Sequence, residues 1–148
     1  ARRVLLPSAA WARGPAPKPP TEEELFARLT LAELIAQNPL EDVSFAYDKA
    51  DLSDAARASL AKNATWLKRW TSVKITVEGH ADSRGTAEYN LALGERRANA
   101  TRDYLGSLGV DLARVAMVSK GELQPVCTET TEDCYAKNRR GHFVITAK

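Results

Sequence analysis

One acidic and two basic residues lie in and after a single predicted turn near the middle of the chain, where they could bind a small charged ligand. Asp82 and Arg84 come directly after an alternating apolar run, and Arg97 lies in the helix predicted to follow. A carboxylate binds an ammonium group, and a planar guanidinium binds a carboxylate through two parallel hydrogen bonds. The sequence therefore predicts a site for a zwitterion, with Asp82 for its ammonium group and Arg97 or Arg84 for its carboxylate.

The same residues allow a simpler interpretation, an internal salt bridge between Asp82 and Arg97. The two residues are fifteen positions apart, so they can meet only if the helix folds back beside the end of the strand. The two interpretations are compatible, because an existing ion pair can open to accept a zwitterion and so exchange one charge pairing for two.

A row of candidate metal ligands lies in the same segment. Glu78, His80 and Asp82 share one side of an extended chain, because side chains of a strand alternate between its two faces. The row could bind zinc, but it lacks the histidine-rich set of most catalytic zinc sites, and the only other histidine is His142. We therefore predict no metal and no cofactor, and we expect His80 to hydrogen-bond a backbone group at the strand end.

Capping residues and apolar spacing predict the helices that position this segment. Thr21 begins a capping box for one or two short helices from about 22 to 37. Ser53 and Thr86 are predicted N-caps of two longer helices. The buried stripe of the second long helix is predicted to comprise Leu91, Ala98, Leu105 and Leu108.

Alternating apolar residues predict four strands, at about 43–47, 73–77, 115–118 and 143–145. Strands interleaved with helices indicate an α+β fold, a two-layer sandwich with a mixed four-stranded sheet and helices on one face. The first two strand–helix–strand connections suit right-handed crossovers if the strands that they join are parallel neighbours.

Composition divides the chain into three parts. Residues 1–20 hold five prolines, four basic residues and no acid, which predicts a flexible tail or linker. Residues 21–39 are predicted to be a helical lead-in, and residues 40–148 a single domain. The net charge of +2 is too balanced for a nucleic-acid-binding protein, and no apolar run approaches the roughly 20 residues of a membrane helix.

Cys127 and Cys134 lie seven positions apart in a predicted polar loop. Their spacing fits no standard zinc pair, and no histidine is near enough in sequence to complete such a site. We predict a local disulfide, which implies an oxidising compartment such as a periplasm, with two free thiols as the alternative.

The segment from 77 to 99 closely resembles the GHADxRGTxEYNxxLGxRRA signature of the OmpA-like family, and within it the peptidoglycan-associated lipoproteins. The resemblance runs from about Leu40 to the C-terminus. It implies a binding domain and not an enzyme. Such a domain holds peptidoglycan non-covalently through the meso-diaminopimelate of the peptide stem. It tethers the outer membrane to the cell wall from the periplasm.

The resemblance also implies which residues bind. Asp82 and Arg97 match the acid and the second arginine that carry binding in the family. The remaining positions that match its pocket are Arg84, Thr86, Tyr47, Asp48 and Leu93, with tyrosine replacing phenylalanine at position 47. The closing Asn138-Arg139-Arg140 motif is interpreted as mainly structural. The two cysteines are not general in the family, so they are an addition.

Partners are implied by the resemblance as well. A lipid anchor to the outer membrane needs an N-terminal cysteine, and no cysteine precedes Cys127, so the anchor lies outside this chain or does not exist.

Two other functions stay open. One is docking of a periplasmic protein of the Tol system, for which Trp66 and Trp70 are candidate contacts. The other is a metal-dependent wall hydrolase using His80 with Glu78 and Asp82.

Overall fold

The structure is a computed structural model that describes residues 16–148. The chain forms two compact units, the first ending at Thr30 and the second running from Leu31 to Lys148. In the first unit, α1 (Glu22–Arg28) begins with the predicted capping box, in which Thr21 and Glu24 bond each other's backbone. Of the predicted tail, residues 16–20 are exposed and belong to no helix or strand, and the remainder lies outside the described residues.

The second unit is an α+β sandwich with a mixed sheet in the order β1-β4-β2-β3. Its strands and helices, in chain order, are α2 (Leu31–Gln37), β1 (Val43–Ser44), α3 (Asp54–Arg69), β2 (Lys74–His80), α4 (Ala87–Ser107), β3 (Val115–Gly121), α5 (Glu132–Asn138) and β4 (Arg140–Ala147). Strands β2 and β3 are parallel, and β4 is antiparallel to both β1 and β2. The fold class predicted from the sequence is confirmed. Among the described residues, no helix combines the length and apolar character of a membrane span.

The strand pairing differs from the expectation in one respect. The strands joined by α4 are parallel neighbours, but those joined by α3 are separated by β4. The first strand is also shorter than predicted: it ends at Ser44, and Asp48 takes a left-handed backbone conformation with φ of 55°. The chain therefore turns after β1 and reaches the end of β2 as a loop.

The predicted N-caps are confirmed, since Ser53 and Thr86 accept backbone hydrogen bonds at the starts of α3 and α4. The predicted stripe of α4 is wrong at Leu91, which is 47% exposed. Leu93 and Arg97 face the core instead, together with Ala98 and Leu105.

A contact between two glycines sets this orientation of α4. A Cβ atom added to Gly79 would lie 1.7 Å from the carbonyl oxygen of Gly94, so strand β2 and helix α4 meet backbone to backbone. No side chain fits between them. The close approach brings the residues that follow Gly94 on α4 beside the end of β2, where Asp82 lies.

The predicted disulfide is present, and it joins Cys127 to Cys134 with their Cα atoms 5.4 Å apart. The polar loop expected around it contains a helix that the sequence interpretation missed. Helix α5 is capped by Thr131, whose side chain accepts from the backbone of Cys134. The disulfide therefore ties the loop before α5 to the first turn of that helix.

Candidate functional site

A small cavity of about 60 Å³ opens where the loop after β1, the end of β2 and the start of α4 meet. Two carboxylates, two guanidinium groups and two aromatic rings surround it. Its lining residues are Tyr47, Asp48, Asp82, Arg84, Gly85, Tyr89, Asn90, Leu93 and Arg97. Six of the seven predicted site residues are thus brought to one place by three separate segments.

Asp82 is 5% exposed, and its carboxylate is held by arginines. The backbone N–H and Nε of Arg84 donate to Oδ1 over 3.0 and 3.2 Å, and Nη2 donates to Oδ2 over 2.8 Å. Arg139 Nη1 lies 3.5 Å from Oδ2. Burial opposes ionisation, but the hydrogen bonds from the Arg84 side chain and backbone outweigh it and hold the pKa of Asp82 below its usual value. Asp82 therefore stays charged and already has partners.

Arg97 does not pair with Asp82, so the predicted internal salt bridge is wrong within the described residues. Its guanidinium is fully buried and donates to three backbone carbonyls. Nη1 donates to His80 over 2.8 Å, Nε to Lys49 over 2.9 Å and Nη2 to Ala46 over 3.0 Å. Burial, and then the positive charge of Arg139, lower the pKa of Arg97 to about 10. Arg97 therefore ties the loop after β1 to the end of β2 and remains protonated at neutral pH.

Arg84 lies between aromatic rings at the mouth of the cavity. Its Cζ atom is 4.2 Å from the ring centroid of Tyr47 and 4.2 Å from that of Tyr135 on α5. Glu132 of α5 adds an ion pair at 3.7 Å. Within residues 16–148, Nη1 of Arg84 makes no hydrogen bond, so this edge of the guanidinium is available to a ligand.

Of the four remaining predicted residues, three line the cavity and one does not. Tyr47, Asp48 and Leu93 line the cavity, and Asp48 accepts a hydrogen bond from the hydroxyl of Tyr89. Thr86 is not among the lining residues, because its hydroxyl caps α4 by accepting from the backbone of Tyr89 at 3.1 Å. Its predicted role in binding stays a prediction.

Two lining residues, Tyr89 and Asn90, were missed by the sequence interpretation, although both lie within the recognised motif. The buried amide of Asn90 donates to the carbonyls of Asp82 and Arg84 over 3.2 and 3.0 Å, which fixes the turn. Their spacing from Thr86 was the available signal, since residues three and four positions into a helix face back toward its N-terminal turn.

The row of Glu78, His80 and Asp82 does not converge on a common point. His80 is buried and its Nε2 lies 3.0 Å from Glu78, whereas the Asp82 carboxylate is bound to Arg84. Burial lowers the pKa of His80, although Glu78 opposes this. In the part of the chain that the structure describes, no three such side chains could hold a metal ion.

The closing motif makes the structural contacts expected of it. Asn138 bonds Cys127 through its amide nitrogen over 2.7 Å and accepts from Val126 over 2.9 Å. Arg139 donates from Nε to the carbonyl of Phe45 over 2.9 Å and from Nη2 to Glu132 over 2.9 Å. The Asn138 bonds hold α5 to the loop before it, and the bond from Arg139 to Phe45 holds the end of α5 against the loop after β1, one wall of the cavity.

Comparison with known proteins identifies relatives over most of the second unit. The model of the OmpA family matches residues 44–139. The peptidoglycan-associated lipoprotein of Brucella melitensis is 46% identical over 103 residues, which make up 70% of this chain and 61% of that protein. A protein of the same name from Haemophilus influenzae is 39% identical over 117 residues, which make up 79% of this chain and 75% of that protein. The chain thus spans less than two thirds of the length of the Brucella relative.

Solved structures share the fold. The crystal structure of the peptidoglycan-associated lipoprotein from Burkholderia pseudomallei has a TM-score of 0.69 at 40% identity, covering 71% of this chain and 89% of that one. The C-terminal domain of Helicobacter pylori MotB has a TM-score of 0.68 at 17% identity, covering 74% of this chain and 86% of that one. At this lower identity, the likeness concerns the fold alone.

Proposed function

Because the chain belongs to the OmpA family, we propose that it binds peptidoglycan non-covalently and tethers the outer membrane of a Gram-negative envelope to the cell wall from the periplasm. The relatives are named for association with peptidoglycan and not for a catalytic activity. A disulfide suits an oxidising compartment such as the periplasm. The observation that carries the proposal is the cavity itself, which gathers two carboxylates and two guanidinium groups on a rigid frame.

The proposed ligand is the free end of meso-diaminopimelate in the peptide stem. This end carries an ammonium group and a carboxylate on one carbon atom, so it needs an acceptor and a donor a short distance apart. Asp82 and Asp48 supply the negative charge, and Arg84 and Arg97 supply the donors. The apolar side chain of Leu93 and the ring of Tyr47 are proposed to contact the aliphatic part of the ligand, and Thr86 to contact its outer edge.

The four charged groups differ in how many of their hydrogen-bonding atoms remain available to the ligand. An ammonium group at Asp82 has to share the carboxylate with Arg84, whereas Oδ2 of Asp48 accepts no hydrogen bond within residues 16–148. A guanidinium has five N–H donors, and carbonyls take three of those on Arg97. Two N–H groups of Arg97 therefore remain for the ligand carboxylate, in addition to the free Nη1 group of Arg84.

The direct test is titration calorimetry with a stem peptide that contains meso-diaminopimelate, and with its lysine analogue in parallel. Lysine lacks the second carboxylate and would leave the arginine donors unpaired, so we expect saturable binding of the first peptide and much weaker binding of the second. Equal binding of both would contradict the zwitterion site. Binding of neither would contradict the proposed function.

A second test removes the charges one at a time. Asp82→Ala and Arg97→Ala are each expected to abolish sedimentation with purified peptidoglycan while circular dichroism still reports a folded domain. Asp133→Ala is the matched control, because Asp133 is exposed on α5 and does not line the cavity. If both cavity variants still sediment with the wall, the assignment of the site is wrong.

A second candidate function is docking of a periplasmic protein of the Tol system. It is favoured by exposed apolar side chains near the start of α4, where Leu91 and Leu123 line a cavity of about 170 Å³. Trp66 and Trp70 are half-buried, so they suit this role less. Leu123→Glu should abolish binding of the purified Tol protein and leave wall binding unchanged; unchanged Tol binding would refute this surface.

A further inference from the structure

The segment tied by the disulfide contributes an aromatic ring to the cavity mouth although none of its residues lines the cavity. Tyr135 follows Cys134 on α5, and its ring contacts the face of the Arg84 guanidinium at 4.2 Å. The ring of Tyr47 contacts the same guanidinium at the same distance. Arg84 is thereby confined by two rings and by the carboxylates of Asp82 and Glu132, although its side chain is 34% exposed.

The position of Tyr135 is fixed by three bonds to two other parts of the molecule. The disulfide holds the first turn of α5 to Cys127, and Asn138 holds its last turn to the same residue through a 2.7 Å hydrogen bond. Arg139, the residue after α5, donates to the carbonyl of Phe45. A seven-residue helix has little stability of its own, so these links determine where the ring lies.

We propose that Tyr135 is a positioning residue: with the disulfide behind it, its ring holds Arg84 in the orientation that pairs with Asp82 and leaves Nη1 free for the carboxylate of the ligand. This inference rests on the proposed function of the cavity. A cation between two rings is attracted to the faces of both. An arginine ordered before binding loses less side-chain entropy when the ligand arrives, so pre-ordering strengthens binding.

The first measurement needs no ligand. The solvent-exchange rate of the Arg84 Nε–H proton, measured by NMR, reports how often its bond to Asp82 opens. Tyr135→Leu is expected to raise this rate about two- to five-fold, the range that one cation–π contact at a partly exposed site contributes. Tyr135→Phe keeps the ring and is expected to leave the rate unchanged. An unchanged rate in Tyr135→Leu, or an equal rise in both variants, would overturn the proposal.

The second measurement is the affinity for the diaminopimelate stem peptide. Tyr135→Leu should weaken it by about two- to five-fold and Tyr135→Phe should not. In an Arg84→Gln background, Tyr135→Leu should cause no further loss, because its effect acts through Arg84. A full further loss in that background would refute the positioning role.

The two measurements separate the failure of the inference from the failure of the proposed function. If the unaltered protein binds no stem peptide, the proposed function is contradicted, and so is the claim that Tyr135 strengthens ligand binding. The exchange rate of the Arg84 proton still decides whether Tyr135 holds this arginine. A Cys127→Ser/Cys134→Ser variant should also raise the exchange rate of the Arg84 proton. An unchanged rate would show that the disulfide does not help Tyr135 to hold Arg84.

Discussion

Arg84 and Arg97 line the same cavity, but the protein holds them in opposite ways. Arg97 is fully buried, and its partners are three backbone carbonyls. Arg84 is one third exposed, and its partners are the side chains of Asp82 and Glu132 and two tyrosine rings. Backbone groups move only when the chain around them moves, whereas side chains rotate. Arg97 therefore fixes the shape of the cavity, and Arg84 supplies the more accessible charge that faces a ligand.

Removing the guanidinium of Arg97 should have the largest effect on stability. Arg97→Ala removes three charge-assisted hydrogen bonds to backbone carbonyls, each contributing about 1.5–3 kcal/mol, although the Ala46 carbonyl still accepts from the Lys49 N–H. We expect the free energy of unfolding, measured by urea denaturation, to fall by about 3–5 kcal/mol, which a domain of typical stability survives. Arg97→Lys should recover only part of this, because an ammonium group lacks the planar fork that reaches three carbonyls. A loss below about 1 kcal/mol would contradict the anchoring role.

Neutralising Asp82 should have an intermediate effect that depends on pH. Asp82→Asn is expected to cost about 1–2 kcal/mol at pH 7, since the arginine hydrogen bonds lose their charge. The pKa of Asp82 lies below its ordinary value of 3.8 in the folded protein. The stability that its charge contributes is therefore fully present above about pH 4 and lost as the pH falls through the folded pKa. The unfolding free energies of the two proteins should converge on acidification, and a constant difference from pH 7 to pH 2 would argue against this pairing.

Replacing Arg84 should have the smallest effect on stability and a clear effect on binding. Arg84→Gln keeps a polar side chain of similar length, and the backbone N–H of residue 84 and Arg139 still hold the Asp82 carboxylate. The one-third exposure of the side chain lets water replace part of the lost contacts. The urea midpoint should therefore move less than in either variant above, while stem-peptide affinity falls by about tenfold or more because a charge-assisted bond is lost. If the midpoint moved as far as in Arg97→Ala, the contrast between the two arginines would not hold.

The sequence predicted those parts of the fold that depend on local patterns. The caps at Ser53 and Thr86 require only a hydroxyl at the right place, and the alternation of Val73, Ile75 and Val77 follows directly from the burial of one sheet face. The exposure of Leu91 was not predictable in this way, because the orientation of α4 depends on the close contact of its backbone with β2. Helix α5 was missed because it is short and polar.

The sequence predicted which residues gather at the candidate site, but not which groups they bond to. The motif that runs through Asp82 and Arg97 identified which side chains gather, and the cavity contains both. The partners of Arg97 are backbone carbonyls, which every residue possesses, so no residue type in the sequence marks them. Arg84 was named as a ligand group, but its ring contact with Tyr135 links residues far apart in the chain and became visible only with α5 in place.

The three bonds of Arg97 also bear on how the domain folds. They connect this residue to Ala46, Lys49 and His80, which are 51, 48 and 17 positions away. A buried cation without these acceptors is strongly unfavourable, so an intermediate that has assembled only two of the segments gains little from burying the side chain. The cavity should thus form cooperatively with the unit around it, and the amide protons beside Arg97 should exchange with solvent only when the whole unit unfolds. Under the proposed function, a partly folded chain would then not bind the wall, and release from the wall would accompany the loss of structure.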